Sequence, residues 1–182
     1  QAFKLKLSTP ITANLKTQQF NLSDLVIAVN ATGDKLPGKT INSELKGSVQ
    51  ADLGRQSIQA NLAGGLLQSQ IKAKFGVTNF AKLAIRYDLE IDQFDADLYI
   101  PKSAEAKVEK TAEPEQTFDL SALKPLNIEG SLRVGTLKAA NVKVRQLRID
   151  VKAKDGLLKI APFSANLYNG NITSSIDVDA GK

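Results

Sequence analysis

A period-two alternation of apolar and polar side chains runs along nearly all of this chain of 182 residues, and it is clearest after residue 127. Ile128, Leu132 and Val134 alternate with Glu129, Ser131 and Arg133. Leu147, Ile149, Val151 and Ala153 alternate with Arg148, Asp150, Lys152 and Lys154. Phe163, Ala165 and Leu167 are offset from Ser164 and Asn166, and Ile172, Ile176 and Val178 from Thr173, Ser175 and Asp177. Successive side chains of a strand point to opposite faces, so each segment has one apolar and one wet face. Such a chain must build a large sheet and keep one side of it from water.

The first half follows the same rule. Phe3, Leu5 and Leu7 precede Pro10; Leu25, Ile27 and Val29 precede Thr32-Gly33-Asp34; Leu45, Val49, Ala51 and Leu53 run up to Gly54. Ile58, Ala60 and Leu62 are expected to return as a hairpin, with Gly64-Gly65 as the next turn. Strands follow at Leu67–Val77 and at Leu83–Ile91. Residues 102–117 carry one large apolar side chain, Val108, and read as a mobile polar linker, because burial there cannot offset the entropy of ordering. Asp119 is placed to cap a short helical turn over 118–126. Glu44–Val49 faintly echoes Asn127–Leu132, a weak hint of repeated hairpins. The expected fold is all-β with minor α: a large twisted, mostly antiparallel sheet, as gutter or sandwich, of roughly a dozen strands with one helical turn. Residues 1–101 and 118–182 are expected to pack as one continuous β domain on either side of the linker.

Composition narrows the chemistry. Cysteine and histidine are absent, which removes disulfides, structural zinc, thiol nucleophiles and histidine acid–base catalysis. Asp88, Glu90 and Asp92 share the wet face of one strand, an ordinary solvated arrangement, so no catalytic residue is assigned. Weak Ca²⁺ binding at Asp92, Asp95 and Asp97 is the one metal chemistry open to that region. The net charge of +5 collects in the last third, at Lys138, Lys143, Arg145, Arg148, Lys152, Lys154 and Lys159. Acidic residues interleave with these bases, which favours a solubilising face over a nucleic-acid site. No apolar run approaches the length of about 18 residues that a membrane helix needs. With no Trp and 3 Tyr, the aromatic girdles of an outer-membrane barrel are missing too. The chain starts at Gln1 without Met and stops just after a strand, which reads as a section cut from a longer protein.

Three motifs in order carry a family resemblance. The first is an Asp-rich strand ending in Asp97-Leu98-Tyr99-Ile100-Pro101. After the polar linker come Phe118-Asp119-Leu120-Ser121-Ala122-Leu123 and the strand Leu126–Gly135. The third is Leu147–Ala180, with Lys152-Ala153-Lys154-Asp155-Gly156-Leu157-Leu158, Pro162, Leu167-Tyr168 and Gly170. Together they resemble the AsmA family of Gram-negative envelope proteins near its periplasmic C-terminal end, over residues 81–180. Asn169 departs from the family's habit of a second Gly there, and Asn is expected to take the left-handed turn position instead.

The resemblance implies a non-enzymatic periplasmic protein, anchored in the inner membrane by an N-terminal helix outside this sequence and tied to outer-membrane biogenesis. It implies phospholipid transport along an apolar gutter, with no cofactor. The residues expected to line that gutter are Leu132, Val134, Val142, Val144, Leu147, Ile149, Val151, Leu158, Ile160, Phe163, Leu167, Ile172, Ile176 and Val178. The same alternation also suits a closed sandwich core, or a scaffold that binds envelope proteins and assists outer-membrane protein assembly.

Overall fold

A computed structural model describes residues 2–33, 36, 39–99 and 124–180. It contains the strands β1 (Ala2–Ser8), β2 (Ile11–Asn14), β3 (Gln19–Thr32), β4 (Thr40–Asp52), β5 (Ser57–Leu66) and β6 (Ser69–Thr78). These are followed by β7 (Ala84–Asp95), β8 (Asn127–Ala139), β9 (Val142–Lys154), β10 (Leu157–Leu167) and β11 (Gly170–Asp179). All belong to one 11-stranded sheet in chain order, with β1 and β2 lying end to end along the same side of β3. Among the described residues β1 with β2 forms one edge of the sheet and β11 the other, so the sheet is open and all-β.

Short loops set the antiparallel registers. Ala140-Asn141 (φ 49° and 61°) and Asp155-Gly156 (φ 51° and 84°) are two-residue turns with both residues left-handed, the geometry that matches strand twist. The β10–β11 turn is equally tight, but its left-handed residue is Tyr168 (φ 53°) rather than Asn169. Gly64-Gly65 is not a turn: β5 runs through both glycines and the chain reverses at Leu67-Gln68. Gly64 (φ 150°) is needed because a Cβ there would stand 2.1 Å from the Glu44 carbonyl oxygen. The strand expected from Leu67 accordingly begins at Ser69. β2 and the start of β3 were not expected from the alternation. One helical turn is present among the described residues, a 3-10 turn at Ala96–Leu98. The helical turn expected over 118–126 falls largely outside the described residues, as does the linker at 102–117.

One seam differs from the rest. β7 and β8 pair in parallel, and opposite charges meet in register across them: Arg86 beside Glu129, Glu90 beside Arg133, Asp95 beside Lys138. The Arg133 guanidinium donates to Glu90 Oε1 at 2.9 Å, to Ser131 Oγ at 2.7 Å and to Asp88. Lys138 Nζ donates to Asp95 Oδ2 at 3.0 Å. A parallel pair cannot close through a two-residue loop and needs a crossover of about a dozen residues or more, which the chain between Tyr99 and Lys124 provides.

Regular pairing is interrupted at a few points inside the strands. β3 holds one extra residue between Leu22 and Leu25, with Asp24 at φ 51°. β10 holds another at Ala161-Pro162, where a bulge lets an interior strand accept a proline. Asp92, Gly135 and Gln146 lie side by side on β7, β8 and β9, and all three drop out of the ladder. Facing the β3 bulge, a Cβ on Gly47 would come within 1.8 Å of the Asn61 carbonyl oxygen. Gly47→Ala is therefore expected to cost roughly 2–3 kcal/mol by overpacking. Gly76→Ala, whose methyl group would meet only the Arg86 Cβ at 4.0 Å, should change stability little. Urea midpoints of the two variants, compared at constant slope, check this.

Candidate functional site

Residues opposite one another in a ladder share a face, so the strand registers trace rows that run across the sheet. One row reads Ala13, Phe20, Ala51, Ile58, Val77, Ile85, Ile128, Ala153, Leu158, Val178, taking one apolar side chain from each of β2 to β11. A second row runs from Leu25 through Gly47, Leu62, Ala73, Leu89, Leu132 and Ile149 to Phe163 and Ser174. Strands stand about 4.8 Å apart, so the apolar face extends about 45–50 Å across the sheet.

The interruptions inside the strands preserve this face. In five strands the apolar spacing lengthens from two residues to three: Leu22 to Leu25, Ile91 to Phe94, Val134 to Leu137, Val144 to Leu147, Ile160 to Phe163. Without a phase shift, everything beyond those points would turn to the wet side. Instead Phe94, Leu137, Val144 and Phe163 pack on the same buried group, Val134, Leu147 and Ala165, as Ile91, Leu132 and Ile149 do.

Among the described residues no second layer covers the face. Among the described residues none of the large side chains is fully buried, and the least exposed apolar ones are Leu25, Ala73, Val134, Leu147, Ala153, Ala165 and Ala180. Phe75, Ile172 and Ile176, on the same face, remain 44%, 46% and 47% exposed. The closed sandwich that the alternation also allowed is not formed, because every strand pairs laterally into one sheet. Among the described residues no fully buried side-chain polar atom lacks a hydrogen-bond partner. Ser43, buried between Ile41 and Leu45, accepts a hydrogen bond from the Leu67 backbone N–H at 2.9 Å. Tyr87 lies over Gly130, where a Cβ would touch its ring at 2.3 Å, and burial raises its phenol pKa above the ordinary value, with the Asp150 charge adding to the effect.

All fourteen residues expected to line a gutter fall on this one face, because each is in register, or in phase across a kink, with Ile128 or Val134. The expectation stopped short at residue 132. Leu25, Leu62, Ala73, Phe75 and Leu89 continue the surface through the first half, and the same alternation in Leu25–Val29 and Ile71–Val77 was the signal for it.

The opposite face is ionic. The carboxylates singled out for Ca²⁺ are engaged separately: Asp92 Oδ1 accepts from the Gln70 and Gln93 backbone N–H groups, while Asp95 and Asp97 share Lys138. No group of three potential metal ligands occurs among the described residues. Asp97 ties the end of β7 to the β8–β9 turn by accepting from the Asn141 and Ala140 backbone N–H groups. The Asn141 N–H first of all holds its carboxyl below the ordinary value; desolvation opposes this, and the Ala140 N–H and the Lys138 ammonium add to the lowering. Among the described residues, no helix is long and apolar enough to cross a membrane. Comparison with protein-family models, curated proteins and solved structures returned no match.

A group whose pKa falls on folding stabilises the fold above its unfolded value and loses that contribution as pH drops through the folded one. Asp97→Asn should therefore be less stable than the parent at pH 7. The gap should close on acidification below about pH 4, the unfolded carboxylate value. Urea unfolding of both proteins between neutral and acid pH measures that convergence.

Proposed function

We propose that this chain is a periplasmic section of an AsmA-like envelope-biogenesis protein whose full length is anchored in the inner membrane. In this reading it is non-enzymatic, and it shields phospholipid acyl chains on their way toward the outer membrane. One observation carries the proposal: an unbroken row of apolar side chains crosses ten consecutive strands on a face that no second sheet covers among the described residues. The family resemblance of residues 81–180 supplies the ligand class.

Several physical features suit that task. Each methylene of an acyl chain laid on the face gains up to about 0.8 kcal/mol on leaving water. The contacts are aliphatic and non-directional, and neighbouring rows repeat at nearly the same energy, so a chain can step from strand to strand without breaking a specific bond. The charged opposite face keeps the outside hydrated, and a headgroup can remain in solvent past the strand ends.

The test uses photo-crosslinking residues introduced one at a time, with native mass spectrometry of gently purified protein. Positions Leu132, Ile149 and Ile176 are expected to capture phospholipid, and Lys152 and Ser164 on the ionic face are not. Ile176→Lys, at an exposed place on the strip, should reduce capture at Ile149 several-fold while the far-UV spectrum stays β. Equal labelling of both faces, or no lipid at any apolar position, would sink the proposal.

A further inference from the structure

The strands end at two ends of the sheet, and the connections at those ends carry different chemistry. At one end the last rung runs through Asn14, Gln19, Asp52, Ser57, Thr78 and Ala84, from β2 to β7. Beyond it the connections β2–β3, β4–β5 and β6–β7, and the chain entering β8, each supply a leucine and a base. These are Leu15 with Lys16, Leu53 with Arg55, Leu83 with Lys82, and Leu126 with Lys124. Each leucine stands two residues past Ala13, Ala51, Ile85 or Ile128, in phase with the apolar row that crosses the sheet. Turns are ordinarily built from polar residues, Gly and Pro. Here Leu15, Leu53 and Leu83 are 79%, 43% and 51% exposed. The turns are also tied to one another: the Leu53 N–H donates to the Gln18 carbonyl and the Asn79 N–H to the Gln56 carbonyl, both at 3.0 Å.

The bases of this end are available to an anion. Lys16, Lys82 and Lys124 form no ion pair among the described residues. Arg55 stands 3.8 Å from Asp52, which already accepts from the Gln19 side-chain amide at 2.9 Å and the Arg55 backbone N–H at 2.8 Å. At the opposite end the turns Leu67-Gln68, Ala140-Asn141 and Tyr168-Asn169 contain no charged residue. There Lys138 is held between Asp95 and Asp97, and Lys39 and Lys143 are the other bases next to a connection among the described residues. The leucine-and-base pattern stops at β8, since the next turn on its own end, Asp155-Gly156, is acidic.

We infer that the Lys16–Arg55–Lys82–Lys124 end is the headgroup rim of the apolar strip, where the phosphate of an anionic phospholipid is held while its tails run from there along β2 to β8. The inference rests on the lipid-shielding reading and adds to it a polarity and a headgroup class. Lys and Arg lay their stems on apolar surface and keep the charge in water, so each base can cover its leucine and still meet a phosphate. Successive leucine-and-base connections lie two strands apart, about 9.6 Å, so the rim offers a cation again at every hairpin. A strand of ten residues such as β5 rises about 33 Å, which keeps a tail laid along it on apolar rungs.

Two photoreactive phosphatidylglycerols, one reactive in the tail and one in the headgroup, test this on the whole 182-residue protein. The tail probe is expected to mark the apolar strip. The headgroup probe is expected to mark the turns at 15–18, 53–56 and 79–83 several-fold more than those at 67–68, 140–141 and 168–169. Lys16→Gln/Arg55→Gln/Lys82→Gln/Lys124→Gln replaces exposed side chains, so the far-UV spectrum should stay β. In native mass spectrometry it should lower the preference for phosphatidylglycerol over phosphatidylcholine by at least about fivefold, while tail labelling by a phosphatidylcholine probe persists. Tail labelling of the strip with headgroup labelling equal at both ends, or a preference unchanged in the glutamine variant, overturns this inference and leaves the lipid-shielding reading standing. A strip that no tail probe marks overturns both, including the case in which the rim alone adheres to a vesicle surface.

Discussion

Cross-strand registry, held in phase through every kink, is what the rest of the molecule depends on. A strand has two faces and a one-residue slip exchanges them, so eleven strands share an apolar side only if each pairing is correct. Here the phase shifts of β7, β8 and β9 fall side by side at Asp92, Gly135 and Gln146, and neighbouring strands shift together. The shift on β10 sits instead at Ala161-Pro162, and an added residue at Gln146 returns β9 and β10 to register. Glycines mark two of these points, Gly47 and Gly135, because a neighbour's carbonyl approaches where a Cβ would stand.

Different forces act on the two faces. Apolar contacts between neighbours such as Val134, Leu147 and Phe163 supply most of the lateral cohesion, since burying a side chain of that size is worth about 1.5–3 kcal/mol when complete. The ion pairs of the other face are partly exposed, Arg133 and Asp88 by 37% and 42%, and pairs of that kind contribute about 0–1 kcal/mol. Their clearer role is selection. At the parallel seam, where no short loop dictates alignment, opposed charges in register favour one pairing over its neighbours two residues away.

Much of this was legible in the residues. Alternation gave the all-β class, most strands, and the membership of Leu132, Ile149, Phe163 and Ile176 in one face. Three things were not legible, each for a physical reason. Gly64-Gly65 resembles a turn because glycine relieves a close backbone approach inside a strand as readily as it opens a reversal. The parallel seam was hidden because period two is common to parallel and antiparallel strands. Only the charge complementarity of Arg86–Asp95 with Glu129–Lys138 and the long intervening segment hinted at it. Whether the face was covered depends on how many sheets form, and alternation is silent on that number. The breaks in period, such as Val134 to Leu137 and Ile160 to Phe163, were visible and marked the kinks.

Extensive contact in this fold is confined to strands that are neighbours in the sheet. The molecule is therefore close to a one-dimensional array, in which the loss of an outer strand exposes only the next. Such an array has no centre whose volume must be conserved. Removing or adding one hairpin, two strands of opposite direction, leaves the polarity of everything beyond it unchanged. Length is then an adjustable property of the design, set by the number of hairpins rather than by the geometry of a packed interior.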